Sequence, residues 1–210
     1  MRNVPNILSI SRLISTVIVF ILVLVDQPWA YLVATVLFAL SAVTDYFDGY
    51  LARRYNLVSS LGVFLDLTAD KVFVVSILIA MIEVRLVSSW IVFIIVTREF
   101  MVSGLRSIAA ARGKVIPAGK WGKQKTFITL IAIGVVLLAK GLGAHLLSLF
   151  PWQVAFNSQT LVFNELLLFI GDILLIVATI WTIFSGIEYT VGAIPIFREE
   201  IKEEKQNSTL

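Results

Sequence analysis

The 210-residue chain is 59% hydrophobic, with a mean hydropathy of +0.94. That is far above the roughly 45–50% apolar content of soluble domains and points to an integral membrane protein. Cysteine is absent, which removes disulfides, thiolate catalysis and Cys-based metal sites, and the modest net charge of +3 suits an anionic membrane surface or substrate better than nucleic acid.

In chain order, apolar runs near residues 7–25, 29–52, 60–82, 86–109, 126–147 and 161–186 each approach the ~20 residues that cross a ~30 Å hydrocarbon core. They predict an all-α integral membrane fold, a six-transmembrane-helix bundle; a β-barrel would show alternating strands instead. The first run reads as a retained span, because no small-residue cleavage site follows it. Arg2 and Arg12 precede or open the first span, and Arg53 and Arg54 close the second. Arg112, Lys114, Lys120, Lys123 and Lys125 fill the fourth-to-fifth connection, and Arg198, Lys202 and Lys205 follow the sixth span. Only Arg85 and Lys140 lie near the opposite side. The positive-inside rule then predicts a multi-pass protein of the cell membrane with both termini in the cytoplasm and Trp29, Trp90 and Trp152 at the outer boundaries. Residues 1–197 are read as one transmembrane domain and 198–210 as a solvated cytoplasmic tail, with His145 in the outer fifth-to-sixth connection.

The second and third spans carry the costliest residues, in the stretch 45–70, DYFDGYLARRYNLVSSLGVFLDLTAD. Asp45 and Asp48 are three apart, Asp66 and Asp70 four apart, so each pair shares a helix face. On consecutive antiparallel spans the pairs can face each other at one depth. Asp45 lies roughly 12 Å along its helix from Arg53, which makes a polar active-site cavity that is recessed yet faces the cytoplasm. Four close carboxylates raise one another's pKa and need a bound cation. Oxygen-only ligands suit Mg²⁺ or Mn²⁺, and four are enough for two ions about 3.5–4 Å apart. Gly49, Ala52 and Gly62 leave room for a ligand or a second backbone. Simple pairing of the acids with Arg53, Arg54 and Lys71 is the plainer alternative. A cation-coupled transporter is another, weakened by the lack of a visible repeat and by acids gathered near one face, not at the midplane.

The spacing Asp45-x2-Asp48-Gly49-x2-Ala52-Arg53-x8-Gly62-x3-Asp66-x3-Asp70 resembles the CDP-alcohol phosphotransferase signature at every fixed position. PNILSISR near the N-terminus and REFMVSGLRSIAAARGKVIPAGKWGKQKT at 98–126 resemble the members that use glycerol 3-phosphate. Beyond Thr126 only hydrophobicity and length agree. The resemblance implies a homodimeric membrane enzyme that moves a phosphatidyl group from CDP-diacylglycerol to an alcohol and releases CMP. By position it implies that Asp45 and Asp66 bridge two metal ions, that Asp48 completes one site, and that Asp70 completes the other and acts as base. Gly49, Ala52, Arg53, Ser59 and Gly62 are placed on the CDP-diacylglycerol side. Asn6 to Ser9 covers the cytidine, with Ser9 where Thr is expected. Arg106, Lys123 and Lys125 are placed by the phosphate of sn-glycerol 3-phosphate. Inositol phosphate, serine and phosphatidylglycerol are the other acceptors the pattern leaves open.

With no Cys in the chain and no His near the motif, direct attack is expected over a covalent intermediate. On the fourth span Glu99 and Arg106, seven apart, are expected to pair. Asp172 and Glu188 in the last span are expected to face protein or water, and either is a candidate to pair with a basic residue of the fourth, the sequence not saying which.

Overall fold

The computed structural model describes residues 4–54, 60–111, 120–144 and 163–207, with side-chain surroundings for 11–44, 68–111, 122, 124–144 and 163–194. Among these residues six helices form, with no strand: α1 (Val4–Leu24), α2 (Pro28–Arg54), α3 (Ser60–Glu83), α4 (Ser89–Ala111), α5 (Lys120–Gly141) and α6 (Phe163–Asn207). The shortest has 21 residues, enough by length to cross a bilayer. Gln124–Gly141 and Phe163–Ile194 satisfy both the length and the apolarity of a membrane span.

Local chemistry sets the helix ends. Pro28 opens α2, where its missing N–H costs nothing and its fixed φ suits the first turn. At the end of α3, Arg85 takes a left-handed φ of 57°. Its N–H donates to the Ile82 carbonyl at 3.0 Å and that of Leu86 to the Met81 carbonyl at 2.8 Å, the paired bonds of a Schellman cap. Leu86 and Met81 are both fully buried, which supplies the apolar contact such a cap favours. The fourth helix therefore starts at Ser89 and not at the predicted 86. Leu86 belongs to the preceding cap, and the Ser88 carbonyl accepts the first bonds of α4, from Ile91 and Val92. The same cap ends α5 before the predicted 147: Gly143 has a φ of +91°, and the N–H of Ala144 donates to Ala139 at 3.0 Å.

The sixth helix departs most from expectation. It runs 45 residues, roughly 67 Å at ~1.5 Å per residue, and continues through Pro195 into the expected tail as far as Asn207. Glu and Lys, strong helix formers, dominate residues 198–205.

The helices close into a ring. α1 packs on α2 and α3, α2 also on α5, α5 on α6, α6 on α4, and α4 back on α3. α1 thus lies between the two helices that carry the aspartates, and α2 and α3 meet directly where Phe38 stacks on Phe73, with centroids 5.2 Å apart and planes 12° apart. The main core surrounds this stack and fills the end of the ring that holds the caps, with Val19, Tyr31, Ile77, Ile95, Ile133 and Leu175 from all six helices. The outward surface is apolar too. Large exposed hydrophobic side chains occur on every helix, and Trp29 and Trp90 are among them. Such continuous apolar exposure marks a surface made for something other than water.

Two glycines let α5 approach its neighbours closely. A Cβ on Gly141 would sit 2.9 Å from the Leu32 backbone nitrogen of α2, and one on Gly171 would sit 2.6 Å from Val136 Cγ2. A Gly141→Val variant is expected to destabilise the detergent-solubilised protein by roughly 1–3 kcal/mol, as overpacking does. Gly104, where an added Cβ meets nothing within 4 Å, should accept Ala with a gain of up to about 1 kcal/mol. Thermal unfolding followed by tryptophan fluorescence checks both, and equal midpoints would show that the close approach is not a constraint.

Candidate functional site

Just past the core the ring turns polar. Asp70 and Lys71 of α3, Glu99 of α4, and Lys125, Thr126 and Thr129 of α5 line one cleft, whose apolar wall includes Val74 and Ile95. Asp70 lies ten residues into α3, roughly 15 Å from its start, so the cleft is recessed. The hydroxyls at this level are occupied: Thr129, Thr179 and Thr182 each donate to the carbonyl one turn back.

Charge organises the cleft. Lys125 is only 3% exposed, and its ammonium is paired with the Glu99 carboxylate. The same Glu99 oxygen accepts from Arg98 Nη1 at 3.4 Å, and Arg98 Nη2 donates to Ser185 Oγ of α6 at 2.6 Å. One connected network thus joins α5, α4 and α6. Arg106 lies two turns further along α4 on the ring of Tyr189, 5.7 Å from its centroid, with Nε donating to the hydroxyl at 3.3 Å. Lys71, Arg98 and Asp70 all lie within electrostatic range of Lys125, and Arg106 within range of Lys71 and Arg98. Among the described residues this gathers four cations, Lys71, Arg98, Arg106 and Lys125, against two carboxylates, Asp70 and Glu99. A recess with that excess is chemically prepared for an anion with several acceptor oxygens.

Of the expected site residues, Asp70 and Lys125 line the same cleft. Arg106 is exposed and held on α6. The expected Glu99–Arg106 pair does not form; Glu99 is taken by Lys125 of α5 and by the adjacent Arg98, while Arg106 finds an aromatic ring. Glu188 is exposed, and Ser185 and Tyr189 are among the residues that give α6 polar contacts to α4. Asp45 and Asp48 lie in the last part of α2 and Asp66 in α3. Their side chains, like those of Asn6, Ser9, Gly49, Ala52, Arg53, Gly62 and Lys123, lie outside the described residues, as does Ser59 altogether.

The helix register still constrains the acids. The stacked Phe38 and Phe73 fix a level shared by α2 and α3. Positions 45 and 66 each lie seven residues from that stack toward the same end of the ring. Seven residues return nearly to the same helix face, so the two positions share one level, roughly 10 Å below the stack.

Residues 2–184 match the model of the CDP-alcohol phosphatidyltransferase family. A Bacillus subtilis protein named CDP-diacylglycerol--glycerol-3-phosphate 3-phosphatidyltransferase is 35% identical, with 90% of this chain and 94% of the relative covered. A Rickettsia bellii protein of the same name is 32% identical over 90% of this chain and 93% of its own. A probable phosphatidylglycerophosphate synthase from Mycobacterium tuberculosis is 41% identical over 65% and 66%.

The pairing of Lys125 with Glu99 generates a stability prediction. Glu99→Ala leaves a buried ammonium without its carboxylate, and such losses cost about 3–5 kcal/mol. The melting temperature of the solubilised protein should fall clearly and recover in the Glu99→Ala, Lys125→Met double variant. Absence of recovery would mean that Glu99 stabilises the fold by some other contact.

Proposed function

The chain belongs to the CDP-alcohol phosphatidyltransferase family, and on that premise we propose that it transfers the phosphatidyl group of CDP-diacylglycerol to sn-glycerol 3-phosphate. The products are phosphatidylglycerophosphate and CMP, a step of phospholipid synthesis. Relatives named for this reaction match over 90% of the chain. The observation that carries the reading is the cleft in which Asp70 lies beside Lys125 within a cationic surplus: it suits an acceptor that brings its own phosphate, which serine does not.

Six helices of span length with apolar outer faces support a six-span bundle in the cell membrane. The distribution of Lys and Arg supports a cytoplasmic cleft and cytoplasmic termini, with 198–210 as a solvated extension of α6. A homodimer is part of this reading.

Asp45, Asp48, Asp66 and Asp70 would hold two divalent ions, Mg²⁺ or Mn²⁺. The residues fit: the donors are all oxygen, as hard cations require, each pair lies within one continuous helix, and the phenylalanine stack sets positions 45 and 66 at one level. When bound, such ions neutralise the pyrophosphate of the donor. Asp70 takes the proton of the acceptor hydroxyl as its oxygen bonds to the phosphatidyl phosphorus and the bond from phosphorus to CMP breaks. Lys125, with Arg106 and Lys123, holds the acceptor phosphate by charge-assisted contacts. Asn6, Ser9, Gly49, Ala52, Arg53, Ser59 and Gly62 hold the CDP-diacylglycerol.

Purified protein should release CMP from CDP-diacylglycerol only when Mg²⁺ or Mn²⁺ and glycerol 3-phosphate are both supplied, and Asp66→Asn should abolish turnover. No release would sink the reaction assigned here, and an active Asp66→Asn enzyme would remove that residue from the metal site.

Lys125→Ala should raise the KM for glycerol 3-phosphate by roughly 10–150-fold, from the about 1.5–3 kcal/mol of a charged hydrogen bond, and leave that for CDP-diacylglycerol nearly unchanged. A rise confined to the donor would assign Lys125 to the pyrophosphate.

A further inference from the structure

Ser185 lies on α6, far in sequence from the aspartate-bearing segment. It is buried and lies outside the residues that line the cleft. Its hydroxyl accepts from Arg98 Nη2 at 2.6 Å, and the other terminal nitrogen of that guanidinium meets Glu99 at 3.4 Å. Glycine at 186 leaves room for this arginine: a Cβ there would stand 3.1 Å from Arg98 Cγ, whereas one on Gly122 of α5 would make an ordinary contact with Nη2 at 3.8 Å. Ser185 therefore determines how Arg98 divides its two terminal nitrogens. While one is held by α6, Arg98 gives Glu99 a single bond, and Glu99 keeps its capacity to pair with Lys125. Without the hydroxyl, Nη2 is released to turn to the carboxylate that Nη1 already meets. A guanidinium takes a carboxylate in bidentate fashion when both nitrogens are available, and Lys125 then loses its anchor.

We propose that Ser185 is a positioning residue of the acceptor site, acting through Arg98 and Glu99 to hold Lys125 where the phosphate of the acceptor binds. The inference rests on the assignment of Lys125 to that phosphate, and it extends the site to α6, a helix that the aspartate pattern does not include.

The test compares Ser185→Ala and Ser185→Thr in the full-length solubilised enzyme. Ser185→Ala should raise the KM for glycerol 3-phosphate about tenfold, the lower end for a charge-assisted hydrogen bond, and change kcat and the CDP-diacylglycerol KM by no more than about twofold. Ser185→Thr, which keeps the hydroxyl, should restore most of the loss. An unchanged acceptor KM overturns the proposal. So does an equal rise for both substrates, or a Thr variant as impaired as Ala, since either is the mark of a merely structural role. If Ser185→Ala does not fold, Gly186→Ala presses on Arg98 from the same helix and should give the same split between substrates; no split overturns the proposal. If the unmodified enzyme releases no CMP with glycerol 3-phosphate, the reaction assignment fails separately. Inorganic phosphate then serves as the probe: a rise in melting temperature that Ser185→Ala loses supports the positioning role, and an equal rise, or none in either protein, overturns it.

Discussion

A charge carried into an apolar ring of helices costs several kcal/mol unless a partner and hydrogen bonds receive it, and this constraint shapes the polar end of the molecule. Lys125 is almost wholly buried, so α5 can occupy its place only if α4 brings Glu99 to it. Glu99 comes with Arg98, which needs an acceptor of its own, and α6 provides one in Ser185. Each helix that closes the ring on this side thus arrives with one unmet electrostatic requirement and meets that of its neighbour. A small residue follows from the same need. Gly186 lies against the stem of Arg98, where an added Cβ would press on Cγ at 3.1 Å.

The apolar end works differently and complements this. Its core is held by close approach, with Gly141 and Gly171 admitting neighbouring helices, and by caps that finish α3 and α5 without loose carbonyls. The Phe38–Phe73 stack sits between the two regimes. It joins the two helices that carry the aspartates, and it sets the level of positions 45 and 66. Core packing at one end therefore sets the level of the acid-bearing positions toward the other. Nearly two turns of helix separate the stack from positions 45 and 66.

Much of this was legible in the sequence. Long apolar runs announced six helices, and Asp70, one of four aspartates at helical spacing, lines the cleft. Local patterns failed where tertiary or unusual local geometry took over. Arg85 closes α3 in a left-handed conformation usually given to glycine, so nothing in its residue type warned that Leu86 would leave the fourth helix. Gly141 and Gly143, by contrast, carried a readable stop signal, and the fifth helix heeds it. Glu99 and Arg106 have suitable spacing for a pair, yet a lysine from another helix outcompetes the arginine. Ser185 and Tyr189 are ordinary polar residues in an apolar run, and only the parallel packing of α6 on α4 reveals what they hold.

The ring order also has a consequence for biogenesis. Chain order and spatial order differ: without α6 the other five helices form an open arc, α4 at one end and α5 at the other. Ser185 is synthesised 87 residues after Arg98, a delay of roughly 4–17 s at ~5–20 residues per second. Through that interval the nascent protein holds an arginine whose final acceptor does not yet exist, at a free edge of the arc. The sixth helix is therefore both the closing wall of the bundle and the counterpart for which that arginine has been waiting, and a polypeptide cut short before it retains the whole aspartate motif while lacking the architecture that seals it.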